Sequence, residues 1–165
     1  MIQMDDQEEK VCKSIQHNFH KAWCDLMREK IVAKDWDMFE VCLQEIIDRL
    51  KAFVHNRTSI HEQIDREIPV GLILQMLRND AVIPSDFLQY FGAILQWLQK
   101  LGPPDMDDVV DAMQNRLQEL SPTDYISTMP DTILAINIHL DAVKLRIDKF
   151  KDELSSNIAN GDDTK

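Results

Sequence analysis

The stretch Phe87–Leu101, with the sequence FLQYFGAILQWLQKL, has the pattern of a buried helix. Its main apolar face repeats at steps of four and three and consists of Phe87, Phe91, Ile94, Leu98 and Leu101. Other apolar and aromatic residues widen this face on both sides, and Lys100 is the one charged residue in the stretch. Because a helix that is apolar nearly all round must be covered on most sides, we expect a buried central helix at about residues 86–101.

The segments before and after this helix predict amphipathic helices that wrap around it. The first is expected from Asp6 to Val32, where acidic residues at its start suit the positive end of the helix dipole. Its predicted apolar side consists of Val11, Ile15, Phe19, Ala22, Leu26 and Met27. Further helices are expected at residues 36–54, 60–67, 70–78 and 106–120.

Glycine and proline divide the remaining chain. Gly102 is expected to end the central helix in a left-handed conformation, since Pro103 and Pro104 forbid its continuation. A short turn or helix follows Ser121, and a final long helix is expected from Pro130 to about Leu154. The prediction is an all-α domain of six to eight helices over residues 1–154, with a flexible polar tail at 155–165.

The charge of the chain limits the classes of partner that it can bind. With a net charge of −11 and a pI near 4.8, the chain lacks the positive field that would attract nucleic acids and anionic membranes. No uncharged apolar stretch reaches the ~18 residues of a membrane span, and the acidic N-terminus does not resemble a signal peptide. Three cysteines, Cys12, Cys24 and Cys42, indicate reduced thiols in the cytosol or nucleus. We therefore expect a cytoplasmic protein with protein partners, without nucleic-acid binding or membrane insertion.

The sharpest candidate for a metal site is His17, His20 and Cys24. Their spacings of three and four put them on one side of the first helix, where they could hold zinc together with a ligand from elsewhere. Such residues are also common on amphipathic helices, and the paired Cys-x-x-Cys spacing of zinc sites is absent. We therefore expect neither a metal nor a cofactor, and zinc binding stays a distant alternative.

The sequence gives little support for a catalytic site. The chain has four glycines and no glycine-rich phosphate loop. Cysteine and histidine occur together, but not in a recognisable nucleophile arrangement. We expect a non-enzymatic protein.

Two sets of residues are candidates for partner binding. Trp97, Ile138 and Leu145 are expected outside the main apolar faces of their helices, and exposed apolar area marks interaction surfaces. The second set gives the final helix a locally basic end that could bind an acidic segment, although a solvated face is the plainer interpretation: Lys144, Arg146, Lys149 and Lys151. The leading hypothesis is a helix-lined apolar groove with an acidic rim that binds a partner helix or loop.

Three stretches of the chain resemble a known family. The first is Phe19–Leu26, FHKAWCDL, and the second is the Leu-x-Glu-Ile helix from Leu43 to Leu50. The third is the most specific and joins Ile64-Asp65, Leu72 to Leu77, Ser85-Asp86-Phe87-Leu88, Tyr90, Leu95, Leu98, the loop LGPPD at Leu101–Asp105 and Asp107-Asp108. In this order they resemble the N-terminal part of the domain of the T-complex protein 11 (testis-associated) family.

The resemblance implies an intracellular, non-enzymatic function. Members of that family are scaffolds or regulators linked to cyclic-AMP-dependent protein kinase signalling and, in animals, to sperm and flagella. The resemblance therefore implies signal transduction in the cytoplasm, with association with a flagellum or cilium as an implied location. The alternative is a structural component of the flagellar, ciliary or cytoskeletal apparatus. A salt-resistant axonemal pool would favour that alternative, and a soluble pool the regulator.

Overall fold

The computed structural model describes residues 5–121 and 124–162, which form seven α-helices and one 3-10 turn, with no strand in these ranges. The all-α prediction is thus confirmed. The elements are α1 (Asp6–Val32), α2 (Asp37–Phe53), α3 (Thr58–Glu67), α4 (Val70–Arg78), α5 (Pro84–Leu101), the 3-10 turn (Pro104–Met106), α6 (Asp107–Glu119) and α7 (Tyr125–Asp162). None of the helices in this part of the chain combines the length and the apolar content needed to cross a membrane.

Helix α5 is the buried centre that the sequence predicts. It contacts α2, α3, α6 and α7, and six of its apolar side chains are buried: Phe87, Phe91, Ile94, Leu95, Trp97 and Leu98. The helix begins two residues earlier than predicted because Pro84 fits a first helical turn. There the main-chain N–H of Ile83 donates a hydrogen bond to Asp86 Oδ2 at 3.1 Å.

Gly102 ends α5 in a different way from the prediction. Its φ of −91° and ψ of 168° are extended rather than left-handed, so the left-handed cap is wrong. A Cβ at this position would lie 2.8 Å from the carbonyl oxygen of Leu98. Glycine is therefore needed here because the chain passes close to the last turn of its own helix, and the sign of φ plays no part.

A single helix, α7, spans Tyr125–Asp162, so a separate helix beginning at Pro130 is wrong. Pro130 lies inside α7, where it cannot donate a main-chain hydrogen bond to Ile126. The buried stripe of α7 keeps its spacing on both sides of the proline: Tyr125, Met129, Ile133, Ile136, Leu140 and Val143. Packing of this stripe outweighs the ~3 kcal/mol that an interior proline typically costs.

The far end of α7 leaves the body of the protein. Ile147 is half-buried, and the next apolar residues at the same spacing, Phe150 and Leu154, are 60% and 45% exposed. The helix continues eight residues past its predicted end at Leu154. The predicted flexibility of residues 155–165 stays a prediction, and residues 163–165, like 1–4 and 122–123, lie outside the described ranges.

Helix α1 has the predicted bounds but buries the opposite face. Its buried residues are Cys24, Met27 and Ile31, whereas the other members of the predicted apolar side are exposed: Val11, Ile15, Phe19, Ala22 and Leu26. Helix α1 runs antiparallel to α7, since Arg28 bonds to the carbonyl oxygen of Ser127 while Cys24 lies beside Asp131. The tertiary contacts of α1 therefore lie on its C-terminal half, and the predicted inward face is wrong for all of these residues except Met27.

Candidate interaction surface

An open cleft lies between the end of α2 and the middle of α7. Its volume is about 370 Å³, within the ~300–1,000 Å³ of typical binding pockets. We call it the basic cleft, and it is lined by Arg49, Ala52, Phe53, Lys144, Ile147, Asp148 and Lys151. Three apolar residues line it, alongside three cations and one carboxylate. Because Asp141 pairs with Arg49, the positive charge of the cleft comes from Lys144 and Lys151, in a chain of net charge −11.

Arg49 is held in position by α7. Its guanidinium donates hydrogen bonds to Asp141 Oδ1 at 2.5 Å and to Asn137 Oδ1 at 3.3 Å. Asn137 is in turn anchored by its own side-chain N–H, which donates to the carbonyl oxygen of Ile133 at 3.2 Å. The Arg49 side chain is only 22% exposed, so this cation is fixed before any partner arrives.

Lys144 and Lys151 complete the positive lining of the basic cleft. Both are exposed, and within the described residues neither makes an ion pair. Lys51, on α2, is by contrast paired with Asp65 at 2.6 Å. The charges of Lys144 and Lys151 are therefore available to an anionic ligand, and in water each such contact has a modest energy that salt screens.

The structure separates the four cations predicted on the final helix. Lys144 and Lys151 line the basic cleft, whereas Lys149 is exposed outside it. Arg146 makes an ion pair with Asp105 of the 3-10 turn at 2.8 Å. Sequence reasoning missed Arg49, because the contact between α2 and α7 that brings it to the cleft is not visible in either helix alone.

The three apolar candidates for partner binding differ in exposure. Ile138 and Leu145 are 49% and 72% exposed, as predicted. Trp97 is 4% exposed, so its predicted role at the surface is wrong. Its indole N–H donates a hydrogen bond to Glu67 Oε2 at 2.5 Å, and Lys100 lies 4.6 Å from the ring centroid. Helix α3 and the side chain of Lys100 cover the face of α5 that the sequence left open.

A wider groove of about 840 Å³ lies between α3, α4, α5 and α6. Leu72, Leu88 and Leu117 line it together with Gly92, where an added Cβ would meet no atom within 4 Å. Its polar lining consists of Arg66, Glu67, Gln89, Gln96, Gln114 and Gln118, beside Tyr90. The lining is amide-rich with one residue of each charge, so the groove does not have the acidic rim that we predicted.

The zinc candidates do not form a metal site within the described residues, where no group of three or more His, Cys, Asp or Glu side chains has a suitable arrangement. His17 is exposed, His20 is half-buried and Cys24 is buried. Burial, with a hydrogen bond to Asp131, raises the pKa of the Cys24 thiol to about 11. A protonated thiol bonded to a carboxylate is poorly suited to bind zinc, which takes the thiolate.

Comparison with known proteins identifies one family. The profile of the T-complex protein 11 family matches residues 2–157, nearly the whole chain. Comparison with curated protein sequences and with solved structures gave no significant match. The match covers α1 to α6 and α7 as far as residue 157, and this length shows the family: the chain belongs to the T-complex protein 11 family.

Proposed function

We propose that this protein is a non-enzymatic interaction module that binds an acidic segment of a partner protein in the basic cleft. The observation that carries the proposal is the pair of unneutralised charges of Lys144 and Lys151 beside the fixed guanidinium of Arg49. Charge complementarity of this kind gives an interface specificity and a faster association rate.

The apolar residues of the cleft add a second requirement for the ligand. Ala52, Phe53 and Ile147 offer an apolar surface next to the cations. Binding energy at protein interfaces concentrates where an apolar side chain enters a pocket and excludes water. The ligand we propose is therefore a segment with one apolar anchor flanked by aspartate or glutamate.

Family membership suggests which partners to test first. The resemblance connects the family with cyclic-AMP-dependent protein kinase signalling in the cytoplasm, where this chain would serve as a scaffold or regulator. Acidic segments of proteins in that signalling system are the first candidates. Affinity purification of the tagged chain and of the variant Lys144→Glu with Lys151→Glu identifies the partners whose binding depends on the cleft.

A direct test uses a fluorescent peptide of stated composition, with one central leucine flanked by glutamates, and measures its anisotropy. Reversal of both free charges, Lys144→Glu with Lys151→Glu, is expected to weaken binding at least ten-fold. The matched control is Lys149→Glu, which changes the charge on the same helix outside the cleft and should alter binding less than two-fold. Raising salt from 50 to 300 mM should weaken wild-type binding.

Several outcomes would contradict the proposal. Equal losses in the cleft variant and in Lys149→Glu would mean that only the general charge of α7 matters. Wild-type binding to anionic vesicles or to an oligonucleotide, stronger than to the peptide, would assign the cleft to another class of ligand. Absence of peptide binding at low salt by the folded wild-type chain would also overturn it.

A further inference from the structure

The exposed side of α1 is an apolar surface that the rest of the chain does not cover. We call it the outer stripe, and it consists of Val11, Ile15, Phe19, Ala22 and Leu26. Val11, Ile15 and Phe19 are 57%, 64% and 68% exposed, and Leu26 is 46% exposed. The residues recur at steps of four and three over roughly 22 Å of helix. This is the spacing of a helix that packs against another helix.

The outer stripe faces away from the body of its own protein at Ala22 and Leu26, and further towards the N-terminus α1 is exposed on every side from Asp5 to Phe19. Helical geometry puts it about 150° around α1 from Cys24, Met27 and Ile31, which are buried against the body. Its occupant must therefore approach from outside. Because all of its large residues lie on one continuous helix, a second helix laid along it could contact every one of them.

We propose that the occupant is α1 of a second copy of this chain, packed antiparallel in a two-fold symmetric dimer. A two-fold interface uses the same patch on both subunits, so the patch must be complementary to itself. With Val11 opposite Leu26 of the second copy, Ile15 lies opposite Ala22, and the symmetry axis passes near Asn18 and Phe19. Val11 and Ile15 then face Leu26 and Ala22, while the two copies of Phe19 meet at the axis, so apolar side chains contact one another along the whole seam.

The charges beside the outer stripe favour this direction. In the antiparallel register, Lys30 of the second copy lies at the level of Asp5 and Glu8, and symmetry repeats this at the other end. Lys30 also lies 3.6 Å from Asp35 of its own chain, so it would be shared between the two carboxylate groups. A parallel pair would instead bring the two acidic starts of α1 together, with Asp6, Glu8 and Glu9 of each copy adjacent. Parallel packing would also align the two helix dipoles unfavourably.

The same register creates one unfavourable contact. Glu8 lies opposite Glu29 of the second copy at each end of the seam, where like charges repel. The buried area is on the order of 1,000 Å² in total, close to the lower limit for specific interfaces. Together these features describe a weak dimer, and they identify Glu29 as a position where a single substitution can strengthen it.

The position of the axis can be tested by cross-linking the full-length chain. In a Cys12→Ser background, Asn18→Cys puts a thiol beside the symmetry axis and should give a disulfide-linked dimer under mild oxidation. The control Lys13→Cys puts an exposed thiol on another face of the same helix and should stay mostly monomeric. Equal cross-linking at both positions, or none at Asn18→Cys, would overturn the register.

Sedimentation velocity over 1–200 µM measures the equilibrium itself. Ile15→Glu with Phe19→Glu should raise the dissociation constant at least ten-fold. The control Val41→Glu, at a residue of α2 that is 66% exposed, should leave it unchanged. Glu29→Lys should lower the dissociation constant at least three-fold, because it replaces the repulsion from Glu8 with attraction. Circular dichroism verifies that each variant is folded.

A monomeric wild-type chain at 200 µM would overturn the dimer, as would a dimer that is insensitive to both the double variant and Glu29→Lys. The dimer and the proposed function can fail separately. The cleft variant Lys144→Glu with Lys151→Glu should still dimerise, and the outer-stripe variant Ile15→Glu with Phe19→Glu should still bind the acidic peptide.

Discussion

Trp97 and Glu67 join the central helix to α3 through one hydrogen bond, in which the indole N–H donates to the carboxylate at 2.5 Å. The bond is partly buried and joins residues 30 positions apart in the sequence. It explains why an aromatic ring that the sequence left without a partner is almost fully covered. Buried tryptophans usually find an acceptor for their N–H, and here the acceptor is charged.

Removing this donor should destabilise the protein. Trp97→Phe loses a hydrogen bond to a charged group, for which losses of about 1.5–3 kcal/mol are typical, in addition to some packing. Glu67→Gln keeps an oxygen acceptor and should cost less. Trp36→Phe is the matched control, since the Trp36 indole makes no hydrogen bond within the described residues. Urea unfolding of the three variants measures the difference, and equal losses for Trp97→Phe and Trp36→Phe would contradict it.

Two glycines should respond in opposite ways to alanine. Gly92 lies in the middle of α5 with no atom within 4 Å of an added Cβ, so Gly92→Ala should stabilise the protein by about 0.5–1 kcal/mol. At Gly102 the added Cβ would lie 2.8 Å from the carbonyl oxygen of Leu98, so Gly102→Ala should destabilise by about 1–3 kcal/mol. Thermal unfolding measures both, and a shift of the same sign for the two variants would refute the argument.

The three cysteines should differ in reactivity towards a thiol reagent near pH 7.5. Cys12 is exposed and should be alkylated first. Cys24 is buried with a pKa of about 11, and burial also raises the pKa of Cys42, so both should react slowly until the protein unfolds. Mass spectrometry of alkylated peptides gives the order. Asp131→Asn removes the carboxylate that helps to raise the Cys24 pKa and should speed its alkylation.

The raised Cys24 pKa also predicts a loss of stability in alkaline solution. The folded protein keeps the thiol proton up to about pH 11, whereas an unfolded thiol loses it near pH 9. Between these values the unfolded state binds fewer protons, so the free energy of unfolding falls as pH rises. Cys24→Ala should lose this part of the pH dependence, and an unchanged slope between pH 9 and 11 would contradict the assignment.

Titration of His139 should lower the free energy of unfolding in acid, whereas that of Cys24 lowers it in alkali. It is 3% exposed on α7, and burial lowers the pKa of its imidazole below the ordinary value near 6.5. In acid the unfolded state therefore binds the proton more readily, and stability falls as pH drops below about 6.5. His139→Leu removes this titration while keeping an apolar side chain in the core. Urea unfolding at pH 5 and pH 7.5 should show a smaller pH effect in that variant than in the wild type.

Much of the architecture follows from local sequence. The bounds of α1 and α4 were predicted to the residue, and α5 was recognised as the buried centre because its apolar residues surround the whole helix. These features depend on spacing within one segment and on residues that begin or end a helix, such as Pro69 and Asn79 at the two ends of α4. The sequence also showed four cations close together on the final helix of an acidic chain, of which two, Lys144 and Lys151, line the basic cleft.

The tertiary structure decided which predicted faces are covered. The sequence shows that Val11, Ile15 and Phe19 share one side of α1, but only the packing of α1 on α7 reveals that Met27 and Ile31 face the body and this side does not. Likewise, Pro130 by itself predicts a break in the helix, but packing of the buried stripe keeps α7 continuous across it. Helical periodicity is set by neighbours three and four residues away, whereas burial is set by segments distant in the chain, so one segment determines its own helix but not the partner that covers it.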